Sequence, residues 1–274
     1  MQRFVSRRLV LASILSLCAA TAFGQAATAK KQRSFEPTVG QEGKDVVWVP
    51  TSQALVNRML DMAKVTPSDY VVDLGSGDGR TVITAAKRGA RALGVEYNPD
   101  MVALSKRRAK EAGVDGKAEF VEGDMYVADI SRASVMALFL LPQNMDKLKD
   151  KFLGLKPGSR IVSNTFSFGG ENDWEPDYTE TVPNCSSWCT VLLWVVPAKV
   201  DGAWNTPQGR MTVTQEYQHF TGSLGSTPIA DGKVTGESIS FVAGPTTITA
   251  KLSGNTLEGT AVTNGKSVPW KATR

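Results

Sequence analysis

Two rhythms of apolar and polar positions divide this 274-residue chain. The first, from about residue 46 to 198, alternates short apolar runs with segments of helical period. Gln53 to Lys64 sets Leu55, Met59 and Met62 near one helical face. An apolar run from Val71 to Leu74 predicts a strand, and Thr81 to Arg88 predicts a helix. Ala92 to Glu96 is a second strand. Asn98 then caps a helix with Pro99 just inside its start and Gly113 at its stop. Ala118 to Met125, Ser134 to Leu141 and Arg160 to Asn164 predict strands three to five. A helix from Gln143 to Leu153, ending at Gly154, separates the last two. Tyr178 to Val182 and Cys189 to Val196 read as an antiparallel pair. This alternation predicts an α/β domain: a mainly parallel seven-stranded sheet flanked by helices.

After Pro197 the helical period disappears. Short alternating runs follow, among them Arg210 to Gln215, Glu237 to Val242, Thr246 to Leu252, Thr256 to Val262 and Ser267 to Ala272. Gly232, Gly236, Gly244, Gly254, Gly259 and Gly265 punctuate them. Residues 201–274 are therefore expected to be a small antiparallel all-β unit, barrel-like. It is expected to add nothing to a site in the first domain. Trp204, Tyr217, Phe220, Phe241 and Trp270 are its core or, alternatively, a ligand-binding face. Trp204 and Trp270 are expected to pack together and close it. Its Gly-x-Trp start and Trp-x-Ala-x-Arg end resemble small β modules attached to exported bacterial proteins.

The N-terminus refines this division. Arg3, Arg7 and Arg8 precede an apolar stretch from Leu9 to Ala20, and Thr21 to Gln25 offers a small-residue cut after Gly24. Residues 1–24 are expected to be a secretory signal peptide, with a twin-arginine hint at Ser6 to Leu11 and an uncleaved anchor as the alternative. Leu15 to Cys18 is a poor lipoprotein site, because Leu17 is large. Residues 25–45 are polar without period and read as flexible. The chain is expected in the periplasm or cell envelope, touching membrane only through its signal, and monomeric. Its formal charge of +4 is mostly targeting: the first 24 residues hold three of the 31 basic residues and none of the 27 acids. No basic stripe with interleaved aromatics indicates nucleic acid. Cys185 and Cys189 remain in an exported chain. On a straight strand they would lie ~13 Å apart, too far to bridge. A turn after Pro183-Asn184 would allow a disulfide, and two free thiols are the alternative. One histidine, His219, and two thiols make no zinc site.

The densest chemistry follows the first strand: Val71-Val72-Asp73-Leu74-Gly75-Ser76-Gly77-Asp78-Gly79-Arg80. Glycines here let the backbone take positive φ and let a ligand approach closely. Free N–H groups at the following helix favour an electron-rich ligand group. Three successive strand ends carry Asp73, Glu96 and Asp124. In a doubly wound sheet a ligand lies across these ends, and the acid after the second strand accepts ribose hydroxyls. Asp124 is placed to accept from an exocyclic amine such as that of adenine. Asp73 and Asp78 would repel a pyrophosphate but suit a cationic ligand such as a sulfonium amino acid.

The order Asp-x-Gly-x-Gly-x-Gly, an acid ending strand two and Gly-Asp ending strand three resembles the class I S-adenosylmethionine-dependent methyltransferases. Val49-Pro50-Thr51, Glu96-x-Asn98-Pro99, Pro142-Gln143-x-Met145 and Trp174-x-Pro176-Asp177 look like a narrower group. These are the lysine N-methyltransferases that modify the c-type ring protein of ATP synthase and the adenine nucleotide translocase. The resemblance implies a Rossmann-like seven-stranded methyltransferase sheet with S-adenosyl-L-methionine as cofactor; the residues themselves suggest no metal. The expected cofactor contacts are Thr51, Asp73, Gly75, Ser76, Gly77, Glu96, Tyr97, Asp124, Met125 and Leu141. Gln143, Asn144 and Asn164 are the candidate catalytic residues, with helix capping the competing role of the first two. Thr51 and Trp174 are expected at the entrance, and Phe166 as a wall or as ordinary packing. The acceptor is expected to be a protein lysine. A small-molecule N- or O-methyltransferase and a non-catalytic exported nucleoside-binding protein are the alternatives. Export adds a tension, because this cofactor is usually supplied in the cytosol. The chain acts before export, or keeps its signal as an anchor, or binds something else.

Overall fold

The computed structural model describes residues 1–2, 35–170 and 173–274. Residues 3–34, which hold nearly all of the expected signal peptide, Cys18 and the start of the polar segment, lie outside them. Seven strands form the first sheet: β1 (Tyr70–Leu74), β2 (Arg91–Glu96), β3 (Ala118–Glu122), β4 (Val135–Leu138), β5 (Arg160–Asn164), β6 (Tyr178–Thr181) and β7 (Thr190–Val195). Their order is β3-β2-β1-β4-β5-β7-β6. The first five are parallel, in registers such as Val72↔Leu93, Val72↔Met136 and Met136↔Ile161. β7 runs antiparallel to β5 and β6. The central strands are almost wholly apolar because helices cover both faces.

Among the described residues four helices flank this sheet: α1 (Gln53–Met62), α2 (Arg80–Lys87), α3 (Pro99–Glu111) and α4 (Pro142–Leu153). Asn98 caps α3, its side chain accepting from Asp100 N and Met101 N. One core packs Leu55, Met59, Val82 and Phe120 on one face; a second packs Met136, Met145, Phe152 and Trp194 on the other. Two strands end earlier than their apolar runs. β4 stops at Leu138, because Pro142 starts α4 and holds Leu141 extended as its N-cap. β3 stops at Glu122, so Asp124 sits in the turn beyond it.

The second sheet is a closed eight-stranded antiparallel barrel. It comprises β8 (Gly202–Thr206), β9 (Gly209–Glu216), β10 (His219–Leu224), β11 (Thr227–Thr235), β12 (Ser238–Ala243), β13 (Thr246–Ser253), β14 (Thr256–Thr263) and β15 (Lys266–Thr273). Trp204, Phe220, Phe241 and Trp270 are buried inside with Met211, Ile248 and Leu257. Trp204 and Trp270 share this core without stacking. Trp270 packs edge-on to Phe241, and Trp204 Nε1 donates to Val200 O. Two of the expected turn glycines are strand residues instead. A side chain at Gly259 would meet Thr249 O at 1.9 Å, and one at Gly232 would meet Phe220 O at 2.1 Å. They mark close backbone approach, which small barrels need to curl.

Tyr217 is not barrel core. It stacks on Trp174 of the first domain at 6.2 Å. Gln218 Nε2 donates to Glu175 O, and Ala198 N donates to Gly236 O. Phe35–Arg274 thus forms one compact unit. Cys185 and Cys189 are bridged, with Cα atoms 5.6 Å apart. The turn that brings them together places Asn184 and Trp188 at positive φ, 56° and 49°. No helix among the described residues is long and apolar enough to cross a membrane.

Candidate active site

The site grows from the turn between β1 and α2. Gly75 and Ser76 both donate their backbone N–H to Val95 O, tying the turn to β2. Gly77 has φ +54°, and a side chain there would strike the Trp48 indole at 2.5 Å. Glycine is therefore required by both backbone and space. Glu96 Oε2 accepts from Gly77 N at 2.9 Å, and Oε1 accepts from Asn98 N at 3.0 Å. These two backbone donors hold its carboxylate in place.

Asp73 is buried, and burial pushes its carboxyl well above the ordinary aspartate value. The neighbouring Glu96 charge adds to that shift, and Asp78 adds a little more. A hydrogen bond with Thr81 only partly opposes them. Asp78 behaves differently. Burial would raise it, but Arg80 grips both its oxygens and Arg108 reaches it at 2.6 Å, so it is lowered. Its charge is spent on those guanidiniums. The expectation that Asp78 helps to attract a cation is corrected accordingly. Asp124 is lowered chiefly by the Lys44 ammonium, 2.7 Å from Oδ2, and further by Tyr126 N.

A cleft runs over these acids where the sheet order reverses between β1, β2 and β4, the usual place for a ligand in such sheets. One part is lined by Gly75, Val95, Glu96, Tyr97, Asp124 and Met125 under the segment Gln41–Val49. The other is lined by Thr51, Asp73, Ser76, Gly77, Thr81 and Leu138. Trp48, Val49, Gly75 and Phe139 belong to both parts. No barrel residue lines either part. The covering segment is held by its own backbone: Gly40 N donates to Trp48 O, and Trp48 N donates to Gln41 O. Arg107 and Arg108 also hold Glu36. Over residues 35–45 the aperiodic polar stretch is tethered rather than loose, because backbone pairing and charge need no hydrophobic period.

Nine of the ten expected cofactor contacts line this cleft; Leu141 does not. Because β4 ends early, Phe139 and Leu140 take that place. Of the expected catalytic residues none lines the cleft. Gln143 is exposed on α4. Asn144 is buried with its Nδ2 unpartnered, and neither side chain caps the helix. Asn164 is buried and donates to Thr51 Oγ1 at 3.3 Å, so it reaches the cleft only through Thr51. Trp174 is not at an entrance; it is buried between Phe168, Trp194 and Tyr217. Lys44, Trp48, Met101 and Phe139 line the cleft as well. Lys44 and Met101 carry no signal in the sequence, whereas Trp48 stands just before Val49-Pro50-Thr51 and Phe139 lies near the end of the predicted fourth strand.

The residues fit S-adenosylmethionine. Two neighbouring carboxylates, one of them buried without a basic partner, favour a cationic ligand rich in donors. Ser76 Oγ is also buried without a partner among the described residues.

Residues 73–178 match the family model described as the ANTKMT methyltransferase domain. A protein-lysine N-methyltransferase of Saccharolobus islandicus is 41% identical over 154 residues, covering 55% of this chain and 94% of that protein. The Mus musculus adenine nucleotide translocase lysine N-methyltransferase is 31% identical over 165 residues, covering 56% of this chain and 71% of that protein. Among solved structures, an RNA methyltransferase from Salinibacter ruber in complex with S-adenosyl-L-homocysteine is similar. It has a TM-score of 0.51 and 43% identity over 56% of this chain and 96% of that one.

Proposed function

Because the chain belongs to the family of the Saccharolobus islandicus protein-lysine N-methyltransferase, we propose that it methylates the ε-amine of a lysine in another protein. That it is an S-adenosylmethionine-dependent methyltransferase follows from the family and the fold. The observation that carries the reading is the row of Asp73, Glu96 and Asp124 along one cleft at the β1 switch point. Glu96 would hold the ribose, Asp124 the adenine amine, and Asp73 the cationic amino-acid end. When bound, the cofactor supplies an electrophilic methyl group on a sulfonium leaving group. This chain has to align donor and acceptor and keep the acceptor amine neutral. A free lysine has a pKa of ~10.4, so an apolar approach that strips water from the ammonium would favour the reactive form.

The finer reading is an exported, monomeric enzyme of the cell envelope that does not act on nucleic acid. The basic and apolar N-terminus motivates export, and the Cys185–Cys189 bridge supports an oxidising compartment. Labelled methyl donor incubated with whole cell-envelope extract and the purified chain tests the acceptor. Label on lysine in a protein band is expected. Label confined to RNA or to a small-molecule fraction overturns the lysine reading, and tight cofactor binding with no transfer at all would make the chain a binding protein.

A further inference from the structure

Three aromatic side chains near the cleft belong to no hydrophobic core. Phe139 and Phe166 stack at 5.7 Å with planes 10° apart, and Trp188 packs edge-on to Phe139 at 5.9 Å. None is a member of the cores that flank the sheet. Phe139 also lines both parts of the cofactor cleft. Trp188 lies at the outer end of the trio, 43% exposed. Trp188 and Phe139 therefore form a continuous aromatic path from solvent to the cleft, with Phe166 stacked against Phe139.

Packing alone gives no reason for Trp188. Its neighbours Pro183, Asn184, Ser186 and Ser187 are exposed, so it shields no apolar loop. Its backbone is left-handed, φ 49°, a conformation costly for a large side chain and kept only where the surroundings enforce it. The enforcing element is at hand. The Cys185–Cys189 bridge closes the loop directly beside Trp188. The loop joins β6 to β7, and Thr190, the first residue of β7, donates its N–H to Thr165 Oγ1 next to Phe166.

We propose that Phe139, Phe166 and Trp188 form the wall along which the acceptor's alkylammonium side chain enters. In this proposal the Cys185–Cys189 bridge is the part that holds Trp188 in the wall. The proposal rests on the lysine reading above and names the acceptor side of that site. Aromatic faces attract an ammonium group. They also bury the methylene stem of a lysine, whose charged head stays polar until it reaches the cleft. The geometry supplies both, with Trp188 as the outer contact and Phe139 as the inner one. A dithiol reductant would cleave the bridge to two thiols while being oxidised to its own disulfide. Trp188 would then leave its left-handed position, and acceptor binding would weaken while cofactor binding would not.

Two readouts on the full chain separate this proposal from the lysine reading. The first is methyl transfer with envelope extract as acceptor, alongside calorimetry for S-adenosylhomocysteine. Trp188→Ala should raise the apparent acceptor KM by about tenfold, with cofactor Kd within about twofold, and Trp188→Phe should restore most of the loss. The Cys185→Ser/Cys189→Ser pair, and the wild type under dithiothreitol, should shift KM the same way by less. The second needs no turnover. With 5-fluorotryptophan incorporated, the fluorine resonance missing from Trp188→Phe belongs to Trp188. It should move when Nα-acetyl-lysine methylamide is added, and Nα-acetyl-norleucine methylamide should leave it in place. A moving resonance in a chain that labels no protein would support the wall and sink the lysine reading. Lysine labelling with an unchanged KM in Trp188→Ala and a static resonance would overturn the wall and leave the lysine reading standing. Loss of cofactor binding in Trp188→Ala would also overturn it, since Trp188 would then serve the cofactor side.

Discussion

Two demands oppose each other at Asp73: burial favours the neutral carboxyl, and a cationic ligand favours the charged one. Its carboxyl is buried, close to Glu96, and without a basic partner among the described residues. Its folded pKa lies above the unfolded value, so the folded state holds its proton longer. Stability therefore falls as pH rises through that window. We expect Asp73→Asn to raise the melting temperature of the ligand-free protein at neutral pH and to weaken S-adenosylmethionine binding. In the wild type, cofactor affinity should rise with pH through the same window, because the cation favours the ionised acid. Calorimetry on both proteins as the pH is raised above the ordinary aspartate value checks the sign; an unchanged affinity in the mutant would show that Asp73 does not face the cation. Lys44 poses the opposite case. Its ammonium occupies Asp124 Oδ2, the position assigned to the adenine amine. Lys44→Ala should tighten cofactor binding roughly two- to fivefold at low salt, with less gain as salt screens the pair. A weaker complex would mean that Lys44 holds the cofactor rather than competing with it.

At the scale of elements, a single acid fastens three strands together. Asp69, just before β1, accepts from Thr66 N and from Ser134 Oγ beside β4, and pairs with Arg160 at the start of β5. It is 7% exposed, and although burial raises its carboxyl, these partners together hold it below the ordinary value. A depressed carboxylate lends stability above its unfolded pKa and loses it as pH falls through the folded one. Asp69→Ala should cost ~2–4 kcal/mol at pH 7, because Arg160 and Ser134 lose their shared partner. The deficit should shrink as the pH is lowered through the acid range. Urea unfolding of both proteins at pH 7 and pH 3 measures it, and equal deficits at the two values would exclude Asp69 ionisation as the cause.

Residues 35–274 join two architectures in one compact unit. The barrel reaches the first domain through Tyr217 on Trp174, Gln218 on Glu175, Gly236 on Ala198 and Lys233 on Asp177. All of these contacts lie away from the cleft lining. A chain ending at Lys199 should therefore keep S-adenosylmethionine affinity within a few-fold. It should also lose stability, on the order of 1–3 kcal/mol, because one face of Trp174 becomes exposed. Thermal unfolding and calorimetry of the shortened chain test both halves. A folded, shortened chain without cofactor binding would show that the barrel is part of the site.

Much of this was legible in the residues themselves. The apolar runs, the Asn98 cap with Pro99, and the acids Asp73, Glu96 and Asp124 lie in local patterns whose period and spacing report the parallel sheet and its edge. Gly77 and the turn around it belong to the same class, since a positive φ beside a strand end is a local requirement. The rest depended on which distant segments meet. Periodicity could not show that Gln41–Val49 covers the cleft, because that stretch is held by backbone pairs and charges rather than by an apolar face. Tyr217 read as barrel core because its partner, Trp174, lies 43 residues earlier in the chain. Gly232 and Gly259 looked like turns because a glycine looks the same in a turn and under a crossing backbone. The pairing of Cys185 with Cys189 stayed open until the turn at Asn184 to Trp188 set their separation. Local sequence determines elements through short-range sterics and hydrophobic period, whereas sites also need contacts across tens of residues that only the packed chain decides.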